Sequence, residues 1–115
     1  MGCDRDAYTV RNSARPITFN GQTFGRIELR WSPSCGTNWG RASFYDGNPN
    51  GEHLPIWISV QYSDGSQVKV VTFQYNGSGS PVWGNMLYAP GVCTTASADR
   101  DQSYGDATGT SGQGC

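Results

Sequence analysis

The sequence predicts an all-β domain, and three observations carry this prediction. Glycine occurs 16 times and proline six times in 115 residues, whereas the good helix formers Leu, Ala, Lys and Glu are scarce. Short segments of alternating apolar and polar residues are typical of strands with one buried face. Turn signals separate these segments every 8 to 12 residues or so, about the spacing of a β-sandwich or small barrel. We predict a small antiparallel β-sandwich of about six or seven strands, stapled by disulfides.

The first clear element is a hairpin centred on Asn20-Gly21, since a type I′ turn needs positive φ at both central positions. Its first arm is Ile17-Thr18-Phe19, after a lead-in over residues 1–15 that could include a short first strand. The second arm alternates between two faces, as a half-buried strand should. The apolar face carries Ile27, Leu29 and Trp31, and the polar face carries Arg26, Glu28 and Arg30.

Further strands are predicted after the break at Ser32-Pro33-Ser34-Cys35-Gly36. They cover residues 39–45, 56–62, 68–75 and 82–88, with a loop at 46–55 and turns at Asp64-Gly65 and at 76–80. The composition changes after Cys93, because residues 94–114 contain no Val, Ile, Leu, Phe, Trp or Met. We therefore predict one domain over residues 1–95 and a polar Gly/Ser/Asp-rich tail over 96–115. This tail is either a flexible extension or a segment that docks on the body or on a partner.

Four cysteines, Cys3, Cys35, Cys93 and Cys115, predict two disulfides and hence an oxidising compartment. A metal role is disfavoured, because there is no C-x-x-C pair and only one histidine. All three pairings are open on spacing alone, and any bond to Cys115 ties the tail to the domain. The chain is expected to be secreted and extracellular.

Charge and hydropathy exclude several partners. The net charge is -1 and there is no basic run, which argues against nucleic acid. No stretch is long and apolar enough to span a bilayer, so no membrane partner is expected. No cofactor is predicted. The run Asp46, Asn48, Asn50 matches the first half of a calcium loop, but position twelve is Trp57 instead of Glu, which favours a structural turn.

An enzyme is not predicted. Glu52-His53 is the one adjacent carboxylate and imidazole pair, yet a second acid or base is missing beside it. Ser32 and Ser34 flank Pro33 without a nucleophile elbow or a paired histidine.

Aromatic residues supply much of the apolar volume, with four Trp and six Tyr in the chain. Trp57 lies on the opposite parity from Ile56 and Ile58, beside Ser59, so it is expected on the exposed face of its strand. Trp57 and Tyr62 are the candidate contacts to a ligand or partner.

The segment Leu29-Arg30-Trp31-Ser32-Pro33-Ser34-Cys35-Gly36-Thr37-Asn38-Trp39-Gly40-Arg41, together with Gly2-Cys3 and Asp6-Ala7-Tyr8-Thr9-Val10, resembles the YjfA-like family. These are small secreted bacterial proteins of unknown function, frequent in actinomycetes, and the resemblance covers about residues 2–95. It assigns no catalytic residue. It implies an accessory or structural module, and related proteins are connecting subunits of secreted Streptomyces antibacterial toxin particles. The motif residues are Arg30, Trp31, Pro33, Cys35, Trp39 and Arg41.

The motif also has a physical interpretation. Pro33 should end a strand, Cys35 should staple the bend, and Trp39 should seal a small core. Arg30 and Arg41 flank the bend, where they would lie near each other and need acidic or carbonyl partners. A conformational role is favoured for these two arginines over ligand binding, so the motif is interpreted as structural.

These features predict a non-catalytic interaction or scaffold subunit of an extracellular assembly, with other secreted proteins as partners. The alternative is a carbohydrate or cell-wall binding module that uses an exposed aromatic such as Trp57. A small secreted hydrolase or nuclease around Glu52-His53 is the third possibility.

Overall fold

The computed structural model describes residues 3, 5–46, 55–62, 70–75, 80–102 and 105–114. Within these ranges the chain forms ten strands and no helix. They are β1 (Tyr8–Thr9), β2 (Arg15–Phe19), β3 (Gln22–Ser32), β4 (Thr37–Phe44), β5 (Ile56–Tyr62), β6 (Val70–Tyr75), β7 (Val82–Trp83), β8 (Leu87–Tyr88), β9 (Thr94–Gln102) and β10 (Gly105–Thr110).

All strands belong to one antiparallel sheet in the order β6-β5-β9-β10-β2-β3-β4-β7, with β1 also on β3 and β8 also on β4. The sheet curves into a nearly closed barrel. Two hydrogen bonds cross the remaining seam, from Asn85 Nδ2 to the Thr72 carbonyl (3.4 Å) and from Tyr62 Oη to the Tyr88 carbonyl (3.0 Å). The predicted all-β, antiparallel, disulfide-bonded domain is confirmed. The sandwich of two sheets is not confirmed, because β9 and β10 join β5 to β2 in one continuous sheet.

The interior of the barrel is filled mainly by aliphatic and small side chains from alternate positions of the strands. Its fully or almost fully buried members are Ile17, Ile27, Leu29, Ala42, Phe44, Ile56, Ile58, Val60, Val82, Leu87, Ala89, Ala96, Ala98 and Ala107. The alternation predicted for β3 and β5 is thus the one that builds the core.

The hairpin predicted at Asn20-Gly21 is confirmed. Asn20 has φ 53° and Gly21 φ 81°, so both central residues adopt the left-handed conformation that a type I′ turn needs. The turn joins β2 to β3 and fixes their register, with Phe19 opposite Gln22. Pro33 also lies where predicted, directly after the end of β3.

The polar segment after residue 95 is part of the barrel wall. β9 crosses the boundary predicted at 95/96 and lies between β5 and β10. Thr94, Ala96, Ala98 and Arg100 point inward and are buried, while the residues between them are partly exposed. The sequence prediction counted only large apolar residues and therefore overlooked this alternation. The described residues of this segment are therefore strands β9 and β10 of the sheet, with short connections.

Predicted strand 82–88 forms two short strands instead of one. Between them, the Gly84 amide donates to the Gly40 carbonyl at 3.0 Å. A Cβ on Gly84 would lie 2.8 Å from Ile58 Cγ2, so the chain passes very close to β5 here. This close approach brings β7 and β8 to the seam of the barrel.

One disulfide joins Cys3 to Cys35, with their Cα atoms 5.6 Å apart. Cys93 is disulfide-bonded as well, and Cys115 lies outside the described residues. The Cys3–Cys35 bond excludes the two pairings in which Cys3 joins Cys93 or Cys115. Disulfides indicate an oxidising environment. In the described part of the chain, no helix has the length and apolarity needed to cross a membrane.

Candidate binding groove

The outer face of β3 and β4 gathers charged and aromatic side chains in two rows. Glu28 pairs with Arg41, and Arg30 pairs with Trp39. Directly paired residues project to the same face of a sheet, so these four side chains are neighbours. β1 extends one row with Thr9 opposite Arg30, and β7 extends the other with Trp83 opposite Arg41.

Glu28 is the centre of a polar network on this face. Its side chain is only 8% exposed. Arg41 Nε donates to Glu28 Oε1 at 3.1 Å, and Arg26 Nε lies 3.6 Å from the same oxygen. Thr9 Oγ1 accepts from Arg30 Nη1 (2.9 Å) and Arg41 Nη2 (3.2 Å) and donates to Glu28 Oε2 (3.4 Å). The Glu28 carboxylate therefore pairs directly with Arg41 and Arg26 and is connected to Arg30 through the Thr9 hydroxyl.

Arg30 is the least satisfied member of the network. Its Nη2 donates to the Ala7 carbonyl at 3.4 Å, but its Nε is buried without a hydrogen-bond partner. Burial and the neighbouring charge of Arg41 lower the pKa of Arg30, while Glu28 raises it. The expectation that Arg30 and Arg41 approach each other and use acidic and carbonyl partners is confirmed by these contacts.

These side chains border a groove of about 520 Å³ on the outside of the barrel. It is lined by Cys3, Arg30, Trp39, Arg41, Trp83, Gly84 and Met86. Trp39 is only 3% exposed and forms the floor of the groove. Its side chain covers the outer face of the sheet and is not part of the interior cluster, contrary to the sequence prediction. Trp83 is 50% exposed and Met86 43% exposed, and they form an apolar rim.

The N-terminal segment forms the opposite rim and is held in three ways. The Cys3–Cys35 disulfide fixes its start. Asp6 accepts hydrogen bonds from Ser32 Oγ and from the Ser34 amide, both at 2.8 Å. The bond from Ser32, followed by those from Ser34, lowers the pKa of Asp6 against the effect of desolvation. Ser32 and Ser34 thus have structural partners.

The family motif is only partly gathered in the groove. Arg30, Trp39 and Arg41 line it, and Cys35 contributes through its bond to Cys3. Pro33 belongs to the turn after β3. Trp31, predicted on the apolar face, is half-buried at one end of the barrel. It lines a separate groove of about 390 Å³ that includes Tyr8 and Val10.

Trp57 and Tyr62 lie on opposite faces of β5 and do not form one site. Tyr62 packs against the interior cluster. Trp57 is half-buried on the outer face, as its parity predicts, and borders a shallow groove of about 310 Å³. The other side chains of this groove are mainly hydroxyls, with one carboxylate: Ser59, Ser97, Ala98, Asp99, Thr108 and Thr110.

Asp99 is the ionisable group of the Trp57 groove. Desolvation raises its pKa to about 6, and the charges of Asp106 and Asp101 and a hydrogen bond with Asp106 act in the same direction. Desolvation and Asp106 also raise the pKa of Asp101.

The calcium candidate has a different partner for its first residue. Both carboxylate oxygens of Asp46 accept from the guanidinium of Arg100 at 3.0 Å. Arg100 is buried and lies over the ring of Phe44, 4.5 Å from its centroid. Asn48, Asn50, Glu52 and His53 lie outside the described residues. Within the described part, no group of three or more His, Cys, Asp or Glu side chains could hold a metal ion.

Sequence reasoning missed Trp83 and Met86 as lining residues of the groove and Thr9 as a member of the polar network beside it. Strand parity identifies the outer face of β3 and β4, but only long-range pairing brings β1 and β7 beside it. The sequence does contain a weak signal for Trp83. It directly follows the buried Val82 in β7, so its side chain projects to the outer face of the sheet.

Comparisons with protein-family models, curated proteins and solved structures give no match. The chemistry of the grooves therefore carries the functional interpretation. Guanidinium groups donate hydrogen bonds and stay charged near neutral pH, so the Arg30–Arg41 groove is suited to hold an anion.

Proposed function

We propose that this protein is a non-catalytic binding protein that is secreted and serves as an interaction subunit of an extracellular assembly. The observation that carries the proposal is the meeting of Arg30 and Arg41 with the exposed Trp83 and Met86 in one groove. Arg, Trp and Met are enriched in protein interfaces, and Trp and Arg in the few residues that dominate binding energy.

The rigidity of the groove also supports a binding role. The floor is formed by paired strands, and the N-terminal rim is fixed by the Cys3–Cys35 disulfide and the hydrogen bonds of Asp6. A preformed surface loses little conformational entropy when a partner binds.

We also propose that the chain belongs to the YjfA-like family and acts, like connecting subunits of Streptomyces toxin particles, as a scaffold. The support is the Ser-Pro-x-Cys-x-x-x-Trp-x-Arg run, whose Cys35, Trp39 and Arg41 help to build the groove. The disulfides fit secretion, since they persist in oxidising compartments.

A second candidate function is glycan binding through the Trp57 groove. Hydroxyls and a carboxylate around the partly buried Trp57 indole can both donate to and accept from sugar hydroxyls, while the ring offers an apolar face.

The test is affinity purification of the tagged protein from the culture supernatant of its native host, followed by mass spectrometry. We expect a second secreted protein in stoichiometric amount. Recovery of the lone chain contradicts the scaffold role. Quenching of tryptophan fluorescence by soluble glycans, abolished by Trp57→Ala and retained in Trp83→Ala, would instead support the second function.

A further inference from the structure

We propose that the Arg30–Arg41 groove binds an acidic segment of the partner protein, in which a carboxylate is flanked by an aliphatic or aromatic side chain. This inference rests on the proposed function and names the chemistry that the partner must present.

The first step is the local charge. Among the described residues, Arg26 and Arg41 pair with Glu28 and Arg30 reaches it through the Thr9 hydroxyl, so these three guanidinium groups carry two more positive charges than the Glu28 carboxylate offsets. Arg30 and Arg41 both donate to Thr9 Oγ1, which holds two like charges close together. An anion in the groove offsets their repulsion and meets preorganised donors.

The second step concerns the N–H donors of Arg41 that its contacts with Glu28 and Thr9 do not use. Arg41 uses Nε and Nη2 in its contacts with Glu28 and Thr9, and these bonds do not involve its Nη1. Because Arg41 lines the groove with its side chain partly exposed, Nη1 is the natural contact for an incoming oxygen. A carboxylate matches guanidinium geometry and charge well.

The third step distinguishes a peptide from an acidic glycan. The side chains that line the groove are a disulfide-bonded cysteine, two arginines, two tryptophans and a methionine. Apart from weakly accepting sulfur atoms, these groups only donate hydrogen bonds. The hydroxyl hydrogens around a sugar carboxylate would find no oxygen acceptor among the described side chains that line this groove. An aliphatic or aromatic neighbour of an acidic residue would instead pack on Trp83 and Met86.

The apolar rim gives the preference for a flanking hydrophobic side chain. The rim residues Trp83 and Met86 are 50% and 43% exposed, and Tyr88, two residues further along the chain but outside the groove lining, is 64% exposed. Such a concentration of exposed apolar surface marks an interaction site. The groove therefore combines a charged contact with an apolar one, and the partner segment must supply both.

The experiment is selection of random peptides displayed on phage against the immobilised wild-type protein. Enriched peptides should carry Asp or Glu beside an aliphatic or aromatic residue. A synthetic enriched peptide should bind at least about tenfold more weakly to Arg41→Gln and to Trp83→Ala, and more weakly at high salt. Arg11→Gln, an equal charge change on an exposed residue outside this groove, should leave binding unchanged.

Several outcomes overturn the inference: no enrichment, enriched peptides without acidic residues, or equal binding by all variants. Tighter binding of polygalacturonate than of the peptide would assign the groove to an acidic glycan. Met86→Ala keeps the test valid if Arg41→Gln fails to fold, because Met86 is an exposed rim residue outside the polar network.

Co-purification of a partner tests the proposed function separately from the peptide experiment. If a partner co-purifies equally with wild type, Trp83→Ala and Met86→Ala, the protein is an interaction subunit but this groove is not its contact. If no partner co-purifies with wild type, the scaffold function fails whatever the peptides show.

Discussion

Thr9 links the charged side chains of the groove although it is a small residue on a two-residue strand. Its hydroxyl accepts from two guanidinium groups and donates to Glu28. Glu28 in turn balances part of the arginine charge from a nearly buried position. The geometry of the groove thus depends on a few polar atoms that leave little freedom to Arg30 and Arg41.

The central role of Glu28 can be tested by Glu28→Gln. The substitution removes the negative charge and leaves three arginines without a counterion, so the free energy of unfolding should fall by about 1–3 kcal/mol. Urea denaturation measures the change. Arg26→Gln is the matched control, because Arg26 is about half exposed and its loss should cost less than about 0.5 kcal/mol. Equal losses in the two variants would contradict the role of Glu28.

The raised pKa of Asp99 predicts that the stability of the folded protein depends on pH. Its pKa is raised from 3.8 to about 6 in the folded protein, so the native state holds a proton that the unfolded chain releases between these values. Stability from this group is fully present below about pH 4 and is lost as the pH rises through about 6.

The corresponding variant is Asp99→Asn. At about pH 8 it should be more stable than wild type by about 1 kcal/mol, a value reduced for solvent screening, whereas at about pH 4 the two should match. Urea unfolding at both pH values measures this. A stability difference that is the same at both pH values would contradict the assignment.

At the scale of elements, sequence prediction succeeded where the signal is local. The Asn20-Gly21 turn and the alternation in β5 depend on neighbouring residues, and both appear as predicted. β9 was missed because its inward residues are mostly small, and Ala does not register as a core former. The groove was missed in part, since Trp83 reaches Arg41 only through the pairing of β7 with β4, and these two residues are 42 positions apart in sequence.

The N-terminal rim is the element whose attachment is most easily changed. The Cys3–Cys35 bond closes a loop with a sequence separation of 32 residues, so Cys3→Ser with Cys35→Ser should lower the free energy of unfolding by about 3 kcal/mol. Hydrogen exchange should accelerate at Tyr8 and Thr9 before it does in β3, because the short β1 then relies on hydrogen bonds alone. Unchanged exchange in β1 would show that the disulfide does not hold this rim in place.

At the scale of the whole molecule, the number of cysteines predicts the second disulfide bond. Cys3 and Cys35 are bonded to each other, and Cys93 is also in a disulfide. Of the four cysteines in the sequence, Cys115 is the one left for Cys93, so we predict a Cys93–Cys115 bond. A non-reducing peptide map should therefore contain a linked peptide pair with Cys93 and Cys115. A map with Cys115 as a free thiol would contradict this pairing.

At the scale of the whole molecule we also predict that the barrel does not form without the polar segment after residue 95. β9 hydrogen-bonds to β5 along seven residue pairs and to β10 along six, so both strands lie in the middle of the sheet. A chain ending at residue 95 would expose the inner face of β5 and leave its buried Ile56, Ile58 and Val60 without a covering wall. We expect this truncated chain to lack a cooperative urea transition and the dispersed amide signals of a folded protein, whereas the full chain shows both. A truncated chain that unfolds cooperatively would establish residues 1–95 as a domain and reduce β9 and β10 to an accessory hairpin.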